Sequence, residues 1–512
     1  MDFIKKYRVP LVLAFIKFIL PYLFQNPIYE LHRDEYLYVA EARHLDWGFM
    51  EVPPLLSLFA KIIHLSGDGF FWVKFWPSLF GGLTVLVVCE MVTEMGGRVF
   101  AQCVASLCMI AGVYLRVHFL FQPNFLEILW WSLLALFIIK YINSRHSFYI
   151  ILLGIIIGLA WLSKYSIIFF VAGIIVGLVL TPYRKIFFQK YIYWAAGIAL
   201  LIALPNVIWQ YYHRWPVIHH MKELRETQLQ FVPPSAFLMD QVLMHLPYFF
   251  IWIGGLVWLL FFSSGKQYRI LAWIYITVIT LLIISSGKNY YSLGAYPMLF
   301  AAGGIWLENL TVYKFKWLRY VSVTITLLLF APVIPVLLPV WKPNKLADYY
   351  VRFGIDKIGV LKWEDLKNHP LPQDFADMLG WKELAQKVST AYAKLPDSIK
   401  IKTMLHCRNY GQAGAISYYG KGLPQVNTDN ASFLFWMPET YHVKNILLVA
   451  KHLPDQDDIV FQQFEKYRMI DSISNPFARE LGTKIFLFEN ANDKANSMIK
   501  SNIRKQKNEF RR

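Results

Sequence analysis

The chemistry-bearing residues of this chain fall into a few short clusters. One runs His32-Arg33-Asp34-Glu35-Tyr36, continues through Glu41, Arg43, His44 and Asp46, and ends at Glu51-Val52-Pro53-Pro54. Carboxylates so placed can act as a general base toward a hydroxyl, provided one comes within about 2.6–3.2 Å of the proton it takes. The pattern predicts a helix over 35–46 lying along a membrane surface, with Asp34 near its start. On a 3.6-residue period Asp34, Tyr38 and Glu41 share one face. The competing use of Asp34 is to cap that helix, with the charges a solvated face. Capping leaves the second acid, Glu51, unexplained.

Three further charges are isolated. Glu127 lies four residues into an apolar run, after Gln122-Pro123-Asn124; its plain alternative is a pair with a neighbouring helix. Lys164 and Lys288 each sit in a tight turn beside tyrosines (Lys164-Tyr165, Lys288-Asn289-Tyr290-Tyr291). Either lysine could snorkel to the interface. A lysine fixed there could instead hold a phosphate as a point charge. The stretch near 212–239 adds His213, Arg214, His219, His220, Lys222, Arg225 and Gln228. Adjacent histidines do not share a helical face, so His219-His220 has no metal spacing. The chain has no phosphate-cradling loop, dinucleotide fingerprint, zinc motif or Ser-His-Asp signature. No metal-ligand cluster stands out, and dependence on a divalent metal is left open.

The elements that must position these residues are membrane helices. The 512 residues are 56% hydrophobic, 17% aromatic and only 17% charged, against about 25% charged in soluble domains. Apolar runs long enough for a bilayer core lie near 9–24, 74–95, 99–120, 124–141, 148–163, 165–181, 191–211, 240–262, 270–286, 290–309 and 319–341. With the N-terminus inside, 14 Lys and Arg fall on the inner side of these runs and only Arg116, Lys164 and Lys288 in the short outer loops. The positive-inside rule then orients the chain N-in. Eleven spans would place residues 342–512 outside, in the periplasm of a bacterium. The net charge of +17 is met by basic loops facing anionic lipid, and nucleic acid is not called for. Residues 342–493 read as an α/β domain, with β-rich runs at 401–407, 446–450 and 484–488. The last 19 residues, 494–512, hold seven Lys and Arg against one Glu and read as a disordered basic tail. Cys89, Cys103 and Cys108 lie in apolar runs and Cys407 stands alone, so no disulfide framework is expected.

At this point the chain resembles a known group: the GT-C membrane glycosyltransferases, in glycosyltransferase family 39 and its bacterial protein-mannosyltransferase-like members, with the lipid A aminoarabinose transferases as more distant relatives. The segments that carry the resemblance are 33–40, 47–55, Leu162-Ser163-Lys164-Tyr165-Ser166, 205–210 with Trp215-Pro216, and 287–291 with 295–298, in family order across residues 30–310. The resemblance implies that Asp34 is the catalytic base of the first outer loop, Glu35 its motif neighbour and Glu51 a second acid that orders the site. It places Glu127 where relatives hold an acid in the third outer loop, and makes Lys288 with Tyr290 and Tyr291 the contact to a polyprenyl phosphate. Lys164 and Arg225 are further candidates for that phosphate on their charge and place alone. One departure is Val52, where aminoarabinose-type enzymes carry Lys and many bacterial relatives His. Another is the absence of the lumenal β-trefoil of eukaryotic protein mannosyltransferases.

The expectation is therefore an all-α polytopic GT-C bundle over residues 1–341 with a periplasmic α/β domain behind it. Its implied activity is inverting transfer of a sugar from a polyprenyl-phosphate donor to a hydroxyl of an envelope glycolipid, polysaccharide or protein. The alternative is a transporter or flippase of a lipid-linked sugar. Transporters usually show repeated halves and helices broken near the midplane; no repeat is apparent here, and the ionisable residues gather at one surface.

Overall fold

The structure is a computed structural model, and it describes residues 2–227, 233–439, 442–453 and 458–512, with side chains from residue 7. Each of the eleven apolar runs contains helix. Among the described residues, six helices are long and apolar enough to cross a membrane by length and composition: Tyr7–Phe24, Phe70–Glu94, Asn124–Ser144, Lys190–Tyr212, Lys266–Ile284 and Trp317–Leu337. Two further pairs, Ile167–Val179 with Pro182–Phe188 and Pro234–Leu243 with Leu246–Phe261, are bent by 108° and 64° at a short break and bring the number to eight if each is one span. The protein is a multi-pass membrane protein. Where helices pack most closely small residues meet: a Cβ on Gly255 would lie 2.2 Å from the Leu299 carbonyl. Without a hydrophobic drive between helices in lipid, such close backbone approach is what association rests on.

The long polar connection after the first helix is more ordered than its polarity suggests. It holds the helix Arg33–Glu41 and a second, amphipathic helix, Leu55–Leu65. The cap of the first is His32, not Asp34: His32 Nδ1 accepts from the Asp34 amide, and the Glu35 carboxylate accepts from the His32 amide at 2.7 Å, closing a capping box. Glu35 is fully buried. It also accepts from Lys74 Nζ at 2.6 Å and from the Phe121 amide at 2.7 Å. The helix that carries Asp34 is thus pinned to the top of the Phe70–Glu94 helix by a charge pair with no exposure on either side.

The C-terminal unit holds a five-stranded mixed sheet, β1 (Thr403–Cys407), β2 (Val426–Asn427), β3 (Asn445–Ala450), β4 (Phe464–Ser472) and β5 (Lys484–Ala491), in the order β2-β1-β3-β5-β4. β1 runs parallel to β2 and β3; β5 is antiparallel to β3 and β4. The three apolar runs of the sequence become β1, β3 and β5. β4 lies at the sheet edge with mostly exposed residues, so it lacks an apolar run. The unit is not separate from the membrane part: one core joins Tyr36, Leu37 and Leu56 to Trp381, Leu405 and Ala413. The 494–512 segment is not a disordered tail. Asn492 caps a helix, Asp493–Glu509, whose Ala495, Ile499 and Ile503 are buried while its lysines and arginines, Lys507 excepted, face outward. All four cysteines are free.

Removing one partner of a buried pair leaves the other uncompensated, at a cost of about 3–5 kcal/mol. Lys74→Met is therefore expected to lower the thermal midpoint of the purified protein sharply, and Glu35→Gln added to it to restore most of the loss. A single variant as stable as wild type, measured by thermal unfolding in detergent, would contradict this reading.

Candidate active site

Asp34 sits in the first turn of the Arg33–Glu41 helix with a side chain 30% exposed. Gln122 Nε2 donates to its Oδ2 at 3.0 Å, and the Tyr410 hydroxyl donates to its Oδ1 at 2.7 Å. A carboxylate has about four lone-pair sites, so each oxygen keeps one free. Tyr410 comes from the C-terminal unit, at the start of the helix Tyr410–Tyr419, where Asn409 caps by accepting from the Gln412 amide. That helix lies directly on the Arg33–Glu41 helix: a Cβ on Gly414 would fall 2.8 Å from Tyr36 Cβ and 2.9 Å from its carbonyl carbon. The Gly-rich turn after β1 thus serves as a helix start and a close-packing surface. The Arg33 guanidinium stacks over the Tyr410 ring at 4.5 Å. Further contacts tie the two parts together. Glu30 accepts from the Trp381 and Lys382 amides, and Arg116 pairs with Asp374.

Glu51 is held from the same side. Its carboxylate accepts from the Ser432 amide at 2.9 Å and from the Ser432 hydroxyl at 2.6 Å. Burial pushes this carboxyl up to about 7, against the pull of the Ser432 bonds. Tyr38, on the face shared with Asp34 and Glu41, lies within reach of the charges of Asp34, Glu41 and Glu51. Glu41 is wholly buried and accepts from the Ser57 hydroxyl at 2.5 Å, and burial raises its carboxyl well above the ordinary range.

The isolated charges separate into paired and unpaired. Glu127 pairs with Lys164 at 2.7 Å and accepts from the Ser166 hydroxyl; Lys164 also donates to Asn124 Oδ1 and lies 4.3 Å over the Tyr291 ring. Lys288 has no ion pair or hydrogen bond among the described residues; its Nζ stands 6.0 Å from the centre of the Tyr290 ring. Burial lowers its ammonium, opposed by Glu364, Asp34 and Asp374 nearby. Of the three cations in the short loops on this side, Arg116 and Lys164 have a carboxylate partner and Lys288 has none among the described residues. Asp34, Lys288, Tyr290, Tyr291, Lys164 and Glu127 therefore form one neighbourhood. Glu35 faces away into its pair with Lys74. Arg225 is exposed on the helix Pro216–Thr227 and makes no contact with Lys288 among the described residues. From that helix His220 lies near Lys288 and Glu223 near Glu51. Gln228 lies outside the described residues. No group of three or more His, Cys, Asp or Glu that could hold a metal ion occurs among the described residues.

Sequence reasoning missed Gln122 as a partner of Asp34, along with Tyr410 and Ser432. The last two lie about 380 residues from the acids they touch, and a single sequence carries no signal for such a pairing. Lys74 was visible only as the first residue of an apolar run.

Comparison with known proteins bears on this arrangement. Residues 51–209 match the family model of the dolichyl-phosphate-mannose-protein mannosyltransferases. The lipid A galacturonosyltransferase RgtD of Rhizobium johnstonii is 26% identical over 195 residues, which are 37% of this chain and 41% of RgtD; the match thus spans less than half of that relative's length. Among solved structures, ArnT from Cupriavidus metallidurans bound to undecaprenyl phosphate superposes with a TM-score of 0.59 at 11% identity, over 94% of this chain and 98% of that one. The archaeal oligosaccharyltransferase AglB from Archaeoglobus fulgidus, in complex with an inhibitory peptide and a dolichol-phosphate, gives 0.50 at 15% identity over 87% and 70%. The chain has the GT-C fold of these membrane glycosyltransferases, in an ArnT-like form that includes the C-terminal unit.

Two outcomes follow from the geometry. Tyr410→Phe deletes one donor to a charged acceptor, a bond worth about 1.5–3 kcal/mol, and is expected to cut turnover about tenfold or more while leaving the thermal midpoint within a few degrees; unchanged turnover would remove Tyr410 from the site. Glu51 is raised in the folded state, so the folded protein binds more protons than the unfolded chain between the ordinary carboxyl value and about pH 7. Stability is then expected to fall as pH rises through that window and to level off above it. Glu51→Gln should flatten this part of the midpoint-against-pH curve, and an identical curve in wild type and variant would refute the assignment.

Proposed function

We propose that this protein is an inverting glycosyltransferase of the bacterial inner membrane, acting on the periplasmic face. It moves a sugar from a polyprenyl-phosphate donor to a hydroxyl of an envelope glycolipid, polysaccharide or protein. The observation that carries the proposal is the neighbourhood of Asp34, a carboxylate with free lone pairs, and Lys288, a half-buried cation with no ion pair among the described residues, at one end of an apolar bundle. In this reading the donor's tail lies in lipid and its phosphate meets Lys288 beside Tyr290 and Tyr291. The acceptor hydroxyl donates to Asp34. As its oxygen bonds to the anomeric carbon, the proton passes to Asp34 and the bond from that carbon to the phosphate oxygen breaks. The polyprenyl phosphate leaves with the electron pair, and Lys288 stabilises the charge that develops there. Attack from the side opposite the leaving group inverts the anomeric centre. Glu51, held by Ser432, shapes the acceptor side. Lys164 is already neutralised by Glu127, so its part is to fix the Tyr291 ring.

The name of RgtD, a lipid A galacturonosyltransferase, and the undecaprenyl phosphate bound to ArnT agree with a lipid-linked donor and favour a glycolipid among the acceptors. Purified protein supplied with a polyprenyl-phosphate sugar and envelope extract is the test. Asp34→Asn is expected to abolish transfer while still binding the polyprenyl phosphate. Lys288→Ala is expected to weaken that binding by about tenfold, the worth of one charge-assisted contact. Near-normal transfer by the first variant, or unchanged lipid-phosphate affinity in the second, would sink the assigned roles.

A further inference from the structure

Away from Asp34 and Lys288, a cavity of about 270 Å³ opens between the 44–49 turn, the end of the Lys190–Tyr212 helix and the C-terminal helix. Its walls are flat ring pairs. The His44 imidazole stacks on the Trp436 indole at 4.2 Å and 11°, and His213 stacks on Trp209 at 4.0 Å and 17°. Each pair presents π surface of the kind that packs against the C–H face of a pyranose ring. Unspent hydrogen-bonding groups lie among the rings. The buried Trp209 Nε1 has no hydrogen-bond partner among the described residues. His213 uses Nδ1 on the Trp209 carbonyl, which leaves its other nitrogen. Asp46 is exposed at the rim, where one oxygen accepts from the Trp47 amide. Donors and an acceptor over aromatic faces suit sugar hydroxyls better than an acyl chain.

Basic residues outnumber acidic ones around the cavity, the acids being Asp46 at the rim and Glu439, which pairs with Arg504 and Arg511. Lys507 and Arg511 of the C-terminal segment line it. The Lys507 ammonium donates to the Met437 carbonyl at 2.5 Å, and Arg511 pairs with Glu439 while keeping half of its side chain exposed. Lys500, Arg504 and Lys505 are exposed on the same helix. Arg512 is pinned at the end of the apolar Lys190–Tyr212 helix: its amide donates to the Tyr212 carbonyl, and its guanidinium lies 3.8 Å over the Tyr211 ring. The cavity therefore sits at the mouth of the membrane part under a basic helix. It also abuts Glu51. Phe49 lines it, and the next residue, Met50, donates its amide to the same Ser432 hydroxyl that holds Glu51. At about 270 Å³ it lies just below the usual span for small-molecule sites, about 300–1,000 Å³, a size for one ring and its substituents.

We propose that this cavity is the subsite for the acceptor's headgroup, and that the headgroup is an anionic saccharide, phosphorylated or carboxylated. The proposal rests on the glycosyltransferase reading above only for the word acceptor; the binding itself is independent of turnover. It also gives the basic C-terminal segment a task, holding the acceptor from the water side while the donor enters from lipid.

Equilibrium binding to the full-length protein in detergent tests it, with glucose 1-phosphate, glucose and inorganic phosphate as probes and tryptophan fluorescence as the readout. Glucose 1-phosphate is expected to bind more tightly than either of the others. Trp436→Ala and Arg511→Glu should each weaken it by about tenfold, corresponding to about 1.4 kcal/mol, with polyprenyl phosphate affinity unchanged as the check on folding. Wild-type affinity in both variants, or no binding to wild type, overturns the proposal. Equal affinity for inorganic phosphate would make the cavity an anion site only and also overturns it. A protein that binds the sugar phosphate here but never turns over a lipid-linked donor would refute the transferase reading and leave the subsite standing.

Discussion

The architecture depends on the clamping of one nine-residue helix, Arg33–Glu41. From the membrane side Glu35 reaches into a fully buried pair with Lys74 and closes the capping box on His32. From the water side the Tyr410–Tyr419 helix packs so closely on Tyr36 that only glycine fits at 414. Taking two charges out of water is expensive, and such a pair adds little stability over a well-packed apolar one. What it adds here is a defined height and rotation for the helix, so that Asp34, one residue before Glu35, faces outward. The acid that looked like the partner of Asp34 in sequence is thus its anchor.

Charge is scarce in the apolar two thirds, and its pairing divides structure from chemistry. Lys140 is held by Glu90 and Glu94 at the opposite end of the bundle, Lys164 by Glu127, and Arg116 by Asp374. Each of these would be costly to leave alone and each is answered. Lys288 is not answered by any described residue, nor is Lys17, wholly buried in the first helix with no partner for its Nζ among the described residues; Glu51 is a carboxyl raised to about 7 by its surroundings. Ionisable groups held in such states near a membrane surface are where function concentrates.

Much of this was legible in the sequence because hydropathy and charge are local. The eleven apolar runs contain helix, and the expectation that Asp34, Glu51, Glu127, Lys164 and Lys288 share one side follows from counting turns. The acidic pattern marked a helix in this loop, while its cap and the Leu55–Leu65 helix escaped, since His32 is an uncommon cap and no capping side chain announces the helix after Pro53-Pro54. The basic C-terminal segment misled by composition: seven cations in 19 residues suggest a solvated tail, but Ala495, Ile499, Ile503 and Phe510 form a buried stripe between them. The contacts of Tyr410 with Asp34 and of Ser432 with Glu51 were out of reach, because only the fold brings residues so far apart in the chain together.

In the proposed reading the two halves of the chain make one site, with the donor's anchoring cation in the bundle and a positioning hydroxyl for the base in the α/β unit. This joint construction is tested most directly by wedging the two helices apart. In Gly414→Leu the added side chain meets the Tyr36 backbone and must displace Tyr410 from Asp34. The account predicts that purified Gly414→Leu protein still binds polyprenyl phosphate with wild-type affinity but loses most of its sugar transfer. Full transfer by a folded Gly414→Leu protein would contradict it, and would show that the base works without the C-terminal unit.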